Sequence, residues 1–153
     1  MAGEEEFAAF FGQAEPLVRR ALISRYGAEL GRDATAEGFA VAWRSWDRVV
    51  DMENRAGYVY RTAEGWANRQ RSRPHNSLAQ PVHSEDRYPD TELAQALEDL
   101  SPRQRQAVVL VEGFGLTHRE AAELIGCAKS SLQNHVERGM SRLRKNLEVN
   151  DNA

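Results

Sequence analysis

Leu116-Thr-His-Arg-Glu-Ala-Ala-Glu-Leu-Ile-Gly-Cys-Ala-Lys-Ser-Ser-Leu-Gln-Asn-His-Val136 is the stretch that decides the fold. Thr117 and Glu120 stand three apart, the spacing at which each side chain caps the other's backbone amide at a helix start. Ala121 and Ala122 are small where two helices must approach closely, and Leu124 and Ile125 are apolar. Gly126 is placed to end this helix in the left-handed conformation that glycine adopts cheaply. A second helix follows, with Leu132, Val136, Met140, Leu143 and Leu147 on one side. Its other side carries Lys129, Ser130, Ser131, Gln133, Asn134 and Arg138, side chains able to reach base edges and phosphates. An antiparallel helix pair packing its own core accounts for the apolar residues equally well. It does not account for a polar face so poor in carboxylates, so the stretch reads as a helix-turn-helix with its second helix in a DNA groove.

The charge distribution supports contact with nucleic acid although the chain of 153 residues carries a net charge of −3. Residues 1–53 sum to −4, 54–73 to +4, 74–100 to −5 and 101–153 to +2. Two basic segments can therefore follow phosphates locally while an acidic stretch keeps the whole chain soluble. Eighteen of the cations are arginine, which suits planar contact with phosphate and guanine.

Several classes are not expected. The mean hydropathy is −0.63 and no apolar run approaches the ~20 residues of a membrane helix. The acidic start, Met1 to Glu6, is the reverse of a secretory signal. The single cysteine, Cys127, cannot form an internal disulfide, and the four histidines lack metal spacing. No nucleophile, base or phosphate loop converges anywhere. The expectation is a cytoplasmic, non-enzymatic protein without metal, cofactor, membrane contact or small-molecule substrate.

Upstream, helical periodicity runs through Phe7, Phe10, Ala14, Leu17, Val18, Ala21 and Leu22, with Pro16 expected to open a new segment or a kink and Gly27 and Gly31 to bound a turn. A second helix is expected over 34–49, with Phe39, Trp43 and Trp46 toward the core. A loop over 51–57 precedes a third helix, Tyr58 to Arg71, which buries Val59 and Trp66 and shows its arginines to solvent. Residues 74–90 change to Pro, Ser, His, Asn and Asp without periodicity and read as a flexible linker. Helices resume near 91, and Ser101-Pro102-Arg-Gln104 is a second capping box.

On these residues the chain resembles the sigma-70 family of RNA polymerase sigma factors, in its small two-domain extracytoplasmic-function class. Ala96 to Ser141-Arg-Leu-Arg resembles region four; Asp33, Glu37-x-Phe39-x-x-Ala-Trp43 and Tyr58-Val-Tyr-Arg61 resemble region two. The resemblance implies an all-α chain with region two over 1–73, a linker over 74–90 and region four over 91–153. It implies an alternative sigma factor whose partners are core RNA polymerase, promoter DNA and an anti-sigma factor. Asp33, Thr35 and Glu37 would dock on polymerase. Asn54, Arg55, Tyr58, Tyr60, Arg61, Arg69 and Arg71 would meet the minus-ten element, and the helix from Lys129 the minus-thirty-five element. Three departures stand out. Ala34 and Ala36 replace the usual Leu and Gln of the docking helix, Gly65 replaces an Asn, and Ala128 replaces a capping Ser.

Two other readings stay open. The helix-turn-helix also resembles response-regulator DNA-binding domains, although residues 1–73 lack the alternating strands and acidic pocket of a receiver. A third reading is an interaction protein that holds polymerase or an anti-sigma factor without reading DNA.

Overall fold

The computed structural model describes residues 2–72 and 92–151, and every regular element among them is helical. The expected linker, 74–90, lies wholly outside the described residues. In order the elements are α1 (Ala2–Tyr26), α2 (Ala28–Arg44), α3 (Trp46–Val49), α4 (Arg55–Ser72), α5 (Glu92–Glu98), α6 (Pro102–Val108), a π-helical turn (Val109–Gly113), α7 (His118–Ile125) and α8 (Lys129–Asp151).

Four sequence expectations are corrected. The first helix runs through Pro16 without a break. The second begins at Ala28, so Gly31 sits inside it and only Gly27, at φ 91°, makes the turn. A Cβ at Gly31 would lie 2.7 Å from the backbone of Ile23, so glycine there lets α1 and α2 pack at backbone distance. The expected 34–49 helix is divided at Ser45 into α2 and α3, and the third helix begins earlier than expected, at Arg55. The apolar run Ala107–Val111 is helical, as its cap indicates, but widens into a π turn before Gly115 reverses the chain at φ 74°.

Both capping boxes form. Ser101 Oγ accepts from the Gln104 amide and Thr117 Oγ1 from the Glu120 amide, and each partner side chain returns a bond to the cap amide. Gly126 closes α7 at φ 76°. Helix α8 then starts at Lys129, with the Ala128 carbonyl accepting from the Leu132 amide, so Ser130 and Ser131 lie inside the helix rather than at its cap.

The main core is continuous from one end of the chain to the other. Phe10, Val18, Leu22, Phe39, Trp46 and Val59 from the N-terminal half join Ala107, Leu110, Ala121, Ile125, Leu132 and Val136 from the C-terminal half. Helix α6 lies on α1, and α7 lies on α4. A small satellite core of Ala96, Leu100, Val108 and Leu143 ties α5 to α6 and α8.

Candidate nucleic-acid interface

The face of α8 away from the core carries Ser131, Asn134 and Arg138, all exposed, while Lys129, Ser130 and Gln133 are exposed nearby. Leu132 is fully buried and Val136 nearly so, which fixes this face outward. The exposed stripe continues past Arg138 through Ser141, Arg142 and Lys145, which with Gln104, Arg138 and the carboxylate of Glu137 line an open depression of about 410 Å³. Arg142 and Lys145 extend the cationic surface beyond the expected six residues; their helical spacing from Arg138 was the available signal. His135, half-buried beside them, is held below the usual histidine range by burial and by Arg103 and Arg138. Burial pushes the Cys127 thiol up, away from the reactive thiolate, in keeping with a structural residue.

The residues expected at the minus-ten element divide into three groups. Arg61, Arg69 and Arg71 are exposed and Tyr58 is half-buried; the Tyr58 hydroxyl accepts from Arg48 at 3.3 Å and Arg71 lies 4.7 Å over the Tyr26 ring. Asn54 and Arg55 hold structure together. The Asn54 carboxamide oxygen accepts from the Gly57 amide and so caps α4, and its nitrogen donates to the Glu123 carbonyl in α7. The Arg55 guanidinium lies 5.4 Å over the Phe10 ring and 5.9 Å over Trp46. Tyr60 is the correction: expected on the DNA face, it is fully buried.

What buries Tyr60 is a polar cluster that the sequence reading missed. The Tyr60 hydroxyl donates to Glu64 Oε2 at 2.7 Å and accepts from Gln106 Nε2 at 2.8 Å. Gln106, itself fully buried, also donates to the Ala21 carbonyl at 2.9 Å, and its oxygen accepts from Arg103. Arg25 reaches the same Glu64 oxygen at 2.6 Å. Arg105 donates to the Ser24 carbonyl and to the carbonyls of Leu97 and Leu100. Gln106 is a polar residue on the buried side of α6, and that was the one signal available.

Burial, followed by the neighbouring Glu64 carboxylate, pushes the Tyr60 phenol up to about 12. An unfolded tyrosine ionises near 10. Between about 10 and 12 the unfolded chain therefore releases a proton that the folded chain keeps, and stability should fall by roughly 2–3 kcal/mol as pH rises through that window. Urea unfolding compared at pH about 8 and about 11 should show about half of that loss, and Tyr60→Phe should show a smaller one. An unchanged slope in that variant would remove Tyr60 as its source.

On α2, Asp33 is exposed and Glu37 half-buried, 3.7 Å from Arg44. Thr35, expected to dock, is 3% exposed and its hydroxyl donates to the Gly31 carbonyl, so it cannot meet a partner from this position. Ala34 is fully buried, which makes it a packing position rather than an altered contact, whereas Ala36 is on the surface. Trp46 is buried and Trp66 half-buried, but Trp43, expected in the core, is 45% exposed. It rests on Phe7 at 5.0 Å between ring centres, beside exposed Phe11.

Among the described residues, no helix is long and apolar enough to cross a membrane, and no group of three or more His, Cys, Asp or Glu could hold a metal ion.

Residues 90–143 match the family model of sigma-70, region 4. The co-crystal structure of the sigma factor RpoE in complex with the anti-sigma factor NepR, from Bartonella quintana, contains a chain similar to this one. The TM-score is 0.66 at 22% identity, covering 95% of this chain and 98% of that chain. No curated protein sequence matches the chain. Residues 90–143 are therefore similar to sigma-70 region 4, and the chain as a whole shares the all-α fold of the chain in that complex.

Proposed function

We propose that this chain is an alternative sigma factor that works in the cytoplasm, binds core RNA polymerase and carries it to a promoter class of its own. The observation that carries the reading is α8, with its apolar side locked against α7 and an exposed polar and basic face, from Lys129 to Lys145, following a left-handed glycine turn. Ser131, Gln133 and Asn134 read bases of the minus-thirty-five element, where glutamine and asparagine pair well with adenine. Lys129, Arg138, Arg142 and Lys145 hold phosphates. In the N-terminal half Tyr58, Arg61, Arg69 and Arg71 follow the minus-ten strand, and the outward face of α2, with Asp33, Glu37 and Trp43, docks on polymerase. The domain boundaries that go with this reading are 1–73 and 91–153. The structural neighbour was solved with an anti-sigma factor, and an anti-sigma factor is the corresponding partner here.

Transcription with purified core polymerase tests the reading, because a sigma factor alone gives specific initiation, whereas a response-regulator-type repressor or a holding protein does not. In the same assay Gln133→Ala with Asn134→Ala should remove base contacts worth ~1–3 kcal/mol each and flatten the preference among minus-thirty-five sequences. Arg138→Ala should weaken all sequences alike, with a shallower salt dependence. A double variant that keeps its full preference would place the reading face elsewhere.

A further inference from the structure

Helix α4 carries one glycine that packing does not explain. At Gly31, Gly38, Gly57 and Gly139 a Cβ would come within 3.0 Å of a neighbouring atom, so each of those sites excludes a larger residue. At Gly65, well inside α4, a Cβ would meet only the end of the Arg69 guanidinium, at 3.5 Å. Glycine is the least favourable helix residue after proline, so this position costs stability that no contact recovers. Gly12 in α1 is equally open, but no lysine or arginine stands a turn to either side of it. Gly65 has Arg61 one turn before it and Arg69 one turn after, both exposed. Among the described residues neither guanidinium makes a hydrogen bond or an ion pair. The carboxylate beside them, Glu64, is already held by Arg25 at 2.6 Å.

We propose that Gly65 is a seat for one unstacked base of the minus-ten strand. The proposal rests on the assignment of α4 to that strand and adds a residue the assignment did not contain. The base slides between the bare Gly65 backbone and the Arg69 guanidinium, which stacks on its outer face, while Arg61 holds a neighbouring phosphate. Only a single strand can offer a base in this way. The backbone amide and carbonyl at position 65 are engaged within the helix, and there is no side chain to meet a base edge. The seat therefore holds its base by stacking and not by identity, which leaves one degenerate position inside the minus-ten element.

The test uses core polymerase loaded with the full-length chain and a promoter template pre-opened over the minus-ten element. Gly65→Ala and Gly65→Leu place their side chains in open space, so both should raise the thermal midpoint of the free protein. Gly65→Leu should nevertheless bind the template roughly tenfold more weakly, the scale of one lost stacking contact, and Gly65→Ala by a smaller factor. With wild type, an abasic residue at one nontemplate position should weaken binding by a similar factor, while the four bases there bind alike. With Gly65→Leu that abasic effect should vanish. Thermal midpoints that fall, a Gly65→Leu that binds as tightly as wild type or keeps the abasic effect, or strong base preference at the seated position would each overturn the seat. A wild type that holds no pre-opened template would overturn the sigma-factor reading as well, so the two failures are distinguishable.

Discussion

Trp46→Ala is expected to lower the stability of the folded chain by about 3–5 kcal/mol, the usual cost of emptying a buried indole site. The ring is 6% exposed, stacks on Phe10 at 5.5 Å and meets Phe7 edge-on at 5.2 Å. Its aromatic neighbours, Phe7 and Phe10, are large, rigid rings held on α1, so the site cannot collapse around an alanine. The functional cost follows from position. Trp46 and fully buried Val49 anchor α3, the four-residue helix that delivers the chain into the loop before α4. Without the indole that loop loses its footing and Arg55 loses one of the rings beneath it. Urea unfolding measures the effect, and a loss below about 1 kcal/mol would mean that the aromatic cluster is not a packed core.

The second large effect is at Leu132, fully buried near the start of α8. Leu132→Ala should cost about 2–5 kcal/mol. It should also weaken binding to duplex promoter DNA, because this side chain sets how α8 stands on α7. Its neighbours belong to a core shared with the N-terminal half, so the loss should spread across the molecule. Tryptophan fluorescence, which arises only from Trp43, Trp46 and Trp66, and far-ultraviolet circular dichroism, which reports all helices, should therefore shift together. Ellipticity that falls well before the fluorescence changes would show that the C-terminal half unfolds independently.

The helix-turn-helix was legible because its signals are local. Two caps, a left-handed glycine and a regular apolar stripe all fall within a few turns of chain, and each has one cheap structural solution. The junction between the halves was not. Gln106 meets residues 46 and 85 positions away, and nothing in a polar side chain states which distant carbonyl will satisfy it. Tyr60 was misplaced for the same reason. Its position on an arginine-rich helix favours solvent, and only the arrival of α6 buries it. Trp43 erred in the opposite direction, since a tryptophan beside Phe39 and Trp46 reads as core until the orientation of α2 is known. Thr35 and Ala34 show that a resemblance places a motif along the chain without saying which of its residues face outward.

The hydrogen bond between Tyr60 and Gln106 also constrains how this chain can change over evolutionary time. A phenylalanine at position 60 would deprive the Gln106 amide of one acceptor and the Glu64 carboxylate of one donor. An apolar residue at position 106 alone would leave the buried Tyr60 hydroxyl without the amide that donates to it and Arg103 without the oxygen it donates to. Either step singly is costly, while both together replace the polar contact with an apolar one. Among descendants of a common ancestor, positions 60 and 106 should therefore covary, and lineages that lose the tyrosine should have lost the glutamine with it.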